Sequence, residues 1–145
     1  MSGFLIDTNV ISELRKRDRA DPGVRRWFDE HRGSQVWTSV LVVGELRRGV
    51  ELLRRRDDRA ADTLQEWLDG VVDDYGDRII PITMAIAERW ATVTVPDPVR
   101  VVDGLLAATA LELDMVLVTR NGADVDRTGV VHIDPFASGP APSRG

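Results

Sequence analysis

Short polar side chains follow the first apolar segment of the chain. Asp7, Thr8 and Asn9 come directly after the apolar run at 4–6. Carboxylate and amide oxygens are ligands for hard cations, and a neighbouring hydroxyl can hold such ligands in place. The same residue types are also the preferred N-caps of helices. Taken alone, Asp7 is better explained as a helix cap.

Glu45 lies on a helical stripe that is predicted to be buried. At helical spacing the stripe consists of Val42, Glu45, Leu46, Gly49 and Leu53. A buried carboxylate without a partner costs several kcal/mol, so something of opposite charge must compensate it. Glu45 therefore indicates either an ion pair with an arginine or a metal ion.

Two further carboxylates occur late in the sequence. Asp103 precedes the helix-forming run that begins at Gly104, and Asp124 follows the apolar run at 115–118. Their ordinary interpretations are a helix N-cap and a turn residue. The small residues of the late helix would let it lie close to a sheet; they are Gly104, Ala107, Ala108 and Ala110.

The elements that must position these acids alternate along the chain. Short apolar runs rich in β-branched residues predict strands at 4–6, 36–38, 79–82, 115–118 and 130–133. Helices are predicted at 9–17, 22–31, 40–56, 59–74, 84–94 and 104–113. This alternation predicts an α/β fold with a mainly parallel sheet, whose ligands bind beyond the carboxyl ends of the strands. The four acids are expected at that edge.

Composition excludes several classes of site. The 145 residues include no cysteine and two histidines, so disulfide frameworks, thiolate zinc sites and cysteine nucleophiles are ruled out. The size suits one domain, predicted over 1–136, and the segment ASGPAPSRG at 137–145 is predicted to be disordered. Without a signal peptide or a long apolar run, the chain is expected to be cytoplasmic and free of membranes.

The net charge of −5 argues against bulk binding of nucleic acid, yet the arginines are clustered. The clusters are at 15–19, at Arg47 and Arg48, and at 54–56. Arg47, Arg48 and 54–56 either solvate helix faces or contact a polyanion or an acidic partner. In the partner interpretation a nearby groove presents Val24, Trp27 and Phe28, for which packing in the core is the alternative.

Five motifs, LIDTNVISEL, SVLVVGELRRGV, DGLLAATALELD, LVTRNGAD and TGVVHIDPF, occur in this order up to Phe136. Together they resemble PIN-domain proteins of the VapC or FitB toxin type. The resemblance implies a three-layer α/β/α fold with a five-stranded, mainly parallel sheet. It also implies an acidic cluster that binds Mg²⁺ or Mn²⁺ and cleaves RNA.

The resemblance carries over residue by residue. The four family acids match Asp7, Glu45, Asp103 and Asp124, and the accompanying polar residues match Thr8, Asn9, Thr119 and Asn121. Family members commonly have an aromatic residue after the fourth acid, where this chain has Val125. Asp126 follows closely, so Asp126 is an alternative to Asp124 as the fourth acid.

Oxygen ligands without nearby cysteine or histidine select Mg²⁺ or Mn²⁺ over zinc or copper. In this interpretation Asp7, Glu45 and Asp103 hold the metal, while Asp124 orients a water or a second ion. Thr8, Asn9 and Thr119 would hold the carboxylates in place. An aspartyl-phosphate phosphatase needs a second Asp where this chain has Asn9, and a Gly-rich phosphate loop is absent.

Two functions follow as hypotheses. The first is a metal-dependent endoribonuclease that acts as the toxin of a type II toxin–antitoxin system, with a VapB-like antitoxin as partner and a homodimer as the assembly that the resemblance implies. The second is a catalytically weak binding module of the same fold, acting in a regulatory complex.

Overall fold

The computed structural model describes residues 3–32, 35–95 and 97–137. Its five strands form one sheet in the order β3-β2-β1-β4-β5, and all neighbouring strands are parallel. The strands are β1 (Phe4–Ile6), β2 (Val36–Ser39), β3 (Ile79–Ile80), β4 (Val116–Val118) and β5 (His132–Ile133). The predicted α/β fold with a parallel sheet is confirmed. Residues 138–145 of the predicted disordered tail lie outside the described residues.

Seven helices flank the sheet within the described ranges. They are α1 (Thr8–Leu14), α2 (Pro22–His31), α3 (Val40–Arg54), α4 (Asp58–Tyr75), α5 (Met84–Val93), α6 (Val101–Leu113) and α7 (Gly122–Val125). The side chains of Asp21, Ser39 and Thr83 cap α2, α3 and α5 by accepting backbone N–H groups, as their positions in the sequence predict. No helix in the described part of the chain is long and apolar enough to span a membrane.

Helix α6 begins earlier than the sequence predicts. Its first residue is Val101 and its N-cap is Arg100, so Asp103 lies in the first turn and is not a cap. The residues Ala107, Ala108 and Ala110 are fully buried. Small side chains thus let α6 pack into the core, and this packing holds the first turn in place.

Gly104 contributes in a different way from the alanines. A Cβ atom there would lie 2.9 Å from Cγ2 of Thr94 and 3.1 Å from Cδ1 of Trp90. The glycine therefore permits close contact of α6 with the end of α5, and its further role in the approach of α6 to the sheet stays a prediction.

The apolar set on α2 belongs to the core. Val24 is 0% exposed, and Trp27 and Phe28 pack against the buried cluster. The Trp27 ring stacks on His31 at 4.6 Å between centroids and meets Phe4 edge to face at 5.2 Å. Val24 is therefore not presented to a partner, while the partner interpretation of the partly exposed Trp27 and Phe28 stays a prediction.

Candidate active site

A pocket of about 310 Å³ opens at the carboxyl edge of the sheet. Its lining residues come from four places in the chain and are Asp7, Thr8, Asn9, Glu45, Arg48, Arg100, Asp103 and Asn121. Asp7 follows the central strand β1, Glu45 lies on the helix after β2, and Asn121 lies in the loop after β4. The topology thus brings together three of the four predicted acids.

Asp7 is both a helix cap and a pocket residue. It is 5% exposed, and its Oδ1 accepts the backbone N–H of Thr8 at 2.6 Å. Its Oδ2 accepts the hydroxyl of Thr119 at 2.7 Å, with Nδ2 of Asn9 at 3.4 Å. Burial raises the pKa of Asp7 above its ordinary value of 3.8, while the bonds from Thr119 and Thr8 act in the opposite direction.

The polar residues predicted to support the acids connect two loops. Oδ1 of Asn9 accepts the backbone N–H of Arg120 at 3.2 Å, and Oγ1 of Thr119 accepts the N–H of Asn121 at 3.0 Å. The first bond joins the segment after β1 to the loop after β4, and the second bond lies within the loop after β4. Together they hold the two segments that carry Asp7 and Asn121 at the pocket.

Glu45 lies beside the buried stripe of α3 instead of within it. The fully buried positions on this helix are Val42 and Val50, whereas Glu45 is partly exposed and lines the pocket. The hydroxyl of Thr8 donates to its Oε1 at 2.5 Å. No ion pair joins Glu45 to a basic side chain in residues 3–32, 35–95 and 97–137, so the structure offers no support there for the ion-pair alternative.

Asp103 is the pocket acid whose buried carboxylate has an oxygen without a hydrogen-bond partner among the described residues. It is 8% exposed, and its Oδ2 is buried without a hydrogen-bond partner among the described residues. Burial raises the pKa of its carboxyl group above 3.8, and the negative charges of Asp7, Asp124 and Glu45 raise it further, against the field of Arg100. A cation beside Oδ2 would relieve both the desolvation and the repulsion.

The two candidates for the fourth acid have different surroundings. Asp124 is exposed on the short helix α7, outside the pocket lining but close enough for its charge to act on Asp103. Asp126 is also exposed, and its Oδ1 lies 2.5 Å from Nε2 of His132. Of the two, it is Asp124 whose charge is felt at the pocket, while Asp126 is engaged by the histidine.

Two arginines line the pocket, and the sequence analysis singled out only one of them. Arg48 belongs to a cluster that the sequence singles out, whereas Arg100 was missed. Both stand three residues from a pocket acid, Glu45 and Asp103 respectively, and this is the spacing of neighbours on a helix face. Arg100 was not identified because the helix was predicted to begin at Gly104, and Arg100 lies before that start.

Other arginines of the predicted clusters pair within the chain. Arg47 contacts Asp69 at 3.4 Å, and Arg54 contacts Asp62 at 2.9 Å. Arg54 also donates to Oε1 of Gln65 at 2.9 Å. These exposed ion pairs are weak, so contact of Arg47 and Arg54 with a polyanion or an acidic partner stays a prediction.

The described residues do not contain a group of three or more His, Asp or Glu side chains already arranged around a metal position. The donor chemistry of the pocket nevertheless fits a hard divalent cation, because its acids supply oxygen atoms alone. The buried, unpartnered Oδ2 of Asp103 is the structural observation that favours such a group.

Comparison with known proteins identifies the family. The sequence model of the PIN domain matches residues 4–130. The chain belongs to the PIN-domain family. Toxin FitB of Neisseria gonorrhoeae is 30% identical over 139 residues, which cover 92% of this chain and 98% of that protein. The VapC ribonuclease Y4jK of Sinorhizobium fredii is 28% identical over 139 residues, with 92% and 97% covered.

A solved structure supports the relation to FitB in three dimensions. The crystal structure of FitAcB from Neisseria gonorrhoeae superposes with a TM-score of 0.82 at 30% identity, covering 91% of this chain and 97% of that one. The matched range 4–130 contains all four predicted acids. The family resemblance that the motifs carry is confirmed.

Proposed function

We propose that this PIN-domain protein is a Mg²⁺- or Mn²⁺-dependent endoribonuclease and the toxin of a type II, VapBC-like toxin–antitoxin system. The observation that carries the proposal is the pocket in which Asp7, Glu45 and Asp103 converge, with Oδ2 of Asp103 buried and unpartnered. Two relatives of nearly the same length, named toxin FitB and VapC ribonuclease Y4jK, support the same class of activity.

Asp7, Glu45 and Asp103 would hold the cation. When bound, a divalent cation supplies positive charge for the phosphodiester and lowers the pKa of a water molecule. Thr119 holds Asp7 through its hydroxyl, and Thr8 holds Glu45 in the same way. Both contacts restrict the carboxylates before substrate arrives, which reduces the reorganisation that the reaction requires.

Asp124 has a role at the side of the pocket in this proposal. It is exposed, so it can reach solvent, and its charge acts on Asp103. It would orient the attacking water or help to hold a second ion. Asn9 and Asn121 line the same pocket and offer amide groups to the polar substrate.

The proposed partners are RNA as substrate and a VapB-like antitoxin, with a homodimer as the proposed assembly. RNA as substrate is supported by the name of the VapC ribonuclease Y4jK, while the antitoxin and the homodimer rest on the resemblance of the motifs to VapC and FitB toxins. A catalytically weak binding module is the second candidate; the observation that favours it is the absence of a formed ligand set among the described His, Asp and Glu side chains.

The direct test uses purified, antitoxin-free protein with total RNA and Mg²⁺ or Mn²⁺, followed by mapping of the product ends. Discrete ends are expected with metal, and none with chelator. Asp103→Asn is the matched control, because it removes one charge from the pocket with little change of shape. Equal cleavage by wild type and by this variant would assign the activity to a contaminant, and antitoxin binding without cleavage would favour the binding module.

A further inference from the structure

The two pocket arginines come from different helices and have no ion pair within the described ranges. Arg48 lies on α3, and Arg100 is the N-cap of α6. Among the described residues, neither side chain forms an ion pair or a hydrogen bond that would hold it away from the pocket. Arg47, by contrast, is paired with Asp69. Both guanidinium groups are therefore available to a ligand.

The backbone of Arg100 is fixed even though its side chain is exposed. Its carbonyl accepts the N–H of Gly104 at 2.8 Å, the first bond of the helix that carries Asp103. Arg100 lines the same pocket as Asp7 and Asp103, and it lies three residues before Asp103 in the chain.

The formal charge of the pocket indicates a role for the two arginines. The pocket lining contains three carboxylates and two guanidinium groups, a formal charge of minus one. A divalent cation would make it plus one, which attracts a phosphodiester. Without the arginines the same metal-bearing pocket would remain negative and repel its substrate, because charges at a few ångströms interact by about 1 kcal/mol or more even in water.

We infer that Arg100 and Arg48 bind phosphate groups of the RNA, Arg100 at the phosphate that is cut and Arg48 at a neighbouring one. The inference rests on the proposed function and adds the residues that recognise the substrate. A guanidinium group cannot bind a cation but matches two oxygens of a phosphate. Arg48 stands one turn from Glu45, on a different wall of the pocket from Arg100.

The test measures two quantities whose changes have opposite signs. Arg100→Ala removes a positive charge beside Asp7 and Asp103, so Mn²⁺ titrated without RNA should bind roughly threefold to tenfold more tightly. In steady-state cleavage of a short fluorogenic RNA, the same variant should lose about a hundredfold in kcat, as when one oxyanion donor is removed. A residue that merely supports the fold would weaken both.

Arg48→Ala should raise KM with little change of kcat, because its phosphate is distant from the reaction. Its salt dependence should also be weaker, by about 0.7 in the slope of log(kcat/KM) against log salt. Arg100→Lys keeps the charge and should retain wild-type Mn²⁺ affinity while losing part of kcat. The matched control is Arg59→Ala, since Arg59 is exposed on α4 and lies outside the pocket lining.

These experiments distinguish failure of the proposed ribonuclease function from failure of the arginine inference. If wild type neither binds Mn²⁺ nor cleaves RNA, the proposed function fails and the inference fails with it. If wild type does both but Arg100→Ala weakens Mn²⁺ binding, or leaves kcat/KM within about twofold of the Arg59→Ala control, only the inference is overturned. Thermal melts establish whether each variant is folded. If Arg100→Ala is unfolded, the kcat of Arg100→Lys tests the inference instead.

Discussion

The hydroxyl of Thr119 donates a 2.7 Å hydrogen bond to Oδ2 of Asp7, although 112 positions separate the two residues in the chain. Thr119 follows β4 and Asp7 follows the neighbouring strand β1, so the bond crosses between adjacent strand ends. Both side chains are almost completely buried. The contact therefore joins the structural core to the proposed metal site.

Removing this hydroxyl should weaken both stability and metal binding. Thr119→Val is similar in shape but leaves Oδ2 of Asp7 without its shortest donor, at a cost of about 1–3 kcal/mol in the free energy of unfolding. The pKa of Asp7 should rise further, so Mn²⁺ affinity should fall. Urea unfolding and Mn²⁺ titration measure the two effects.

Thr119→Ser is the matched control for this prediction, since it keeps the hydroxyl and loses only a methyl group. It should lose stability from reduced burial, about 0.8 kcal/mol, with near wild-type Mn²⁺ affinity. Equal Mn²⁺ affinities for Thr119→Val and Thr119→Ser would show that the hydrogen bond does not act on the site.

Neutralising Asp103 should leave the metal-free protein at least as stable as wild type. Its carboxylate is repelled by three other acids, and its Oδ2 has no partner in the described structure. Asp7→Asn should cost about 1 kcal/mol, because Asp7 accepts on both oxygens and an amide accepts on one. Thermal and urea unfolding in chelator compare the two variants.

Added metal completes the comparison of Asp103→Asn with wild type. Wild type should gain about 2.7 kcal/mol from Mn²⁺ at a hundredfold excess over its Kd, and both variants should gain much less. A loss of roughly 3–5 kcal/mol by Asp103→Asn in chelator would instead indicate a broken buried ion pair. Equal stabilisation of all three proteins by Mn²⁺ would contradict the carboxylate site.

The raised pKa of Asp103 predicts how stability depends on pH. Its folded-state pKa lies above the ordinary 3.8, so the folded protein keeps a proton that the unfolded chain has released. This contribution to stability is present in full below 3.8 and is lost as pH rises through the folded-state pKa. In chelator, the advantage of Asp103→Asn over wild type should therefore grow from pH 3.8 toward neutral pH.

Urea unfolding at a series of pH values measures this difference. Asp73→Asn, at an exposed position of α4, is the matched change of charge. A difference between Asp103→Asn and wild type that stays constant with pH would mean that Asp103 titrates alike in the folded and unfolded states.

Close packing at Gly104 predicts the effect of one added methyl group. Gly104→Ala would place Cβ 2.9 Å from Thr94 and 3.1 Å from Trp90, so unfolding free energy should fall by about 1–3 kcal/mol. Gly70→Ala is the matched control inside α4, where a Cβ meets no atom within 4 Å. It should raise stability by about 0.5–1 kcal/mol. Equal effects in urea unfolding would contradict the close contact.

The fold was predictable because its signals are local. The run at 4–6 and its four counterparts are apolar and short, and each is found in the sheet. Helix starts at Asp21, Ser39 and Thr83 were equally clear, since each cap bonds within three residues. Short apolar runs and side-chain caps of this kind can be recognised from a few neighbouring residues of the sequence.

The site was predictable only in part, because its contacts span the chain. Periodicity predicted that Glu45 lies inside a buried stripe. In the structure its carboxylate accepts a hydrogen bond from Thr8 and lines the open pocket, so it is partly exposed. Arg100 was missed because Val101 and Val102, which are β-branched, gave no signal that the helix had begun. Such positions depend on tertiary packing that no short window contains.

Substitution of the two late acids tests which one completes the site. Asp124→Asn should reduce RNA cleavage strongly and leave stability nearly unchanged, because Asp124 is exposed but its charge acts on Asp103. Asp126→Asn should leave cleavage within about twofold of wild type and cost no more than about 1 kcal/mol, because it breaks only the exposed contact with His132. Initial cleavage rates and urea unfolding separate the two variants. If Asp126→Asn abolishes cleavage while Asp124→Asn does not, Asp126 is the fourth acid, and the loop must rearrange away from His132 when substrate binds.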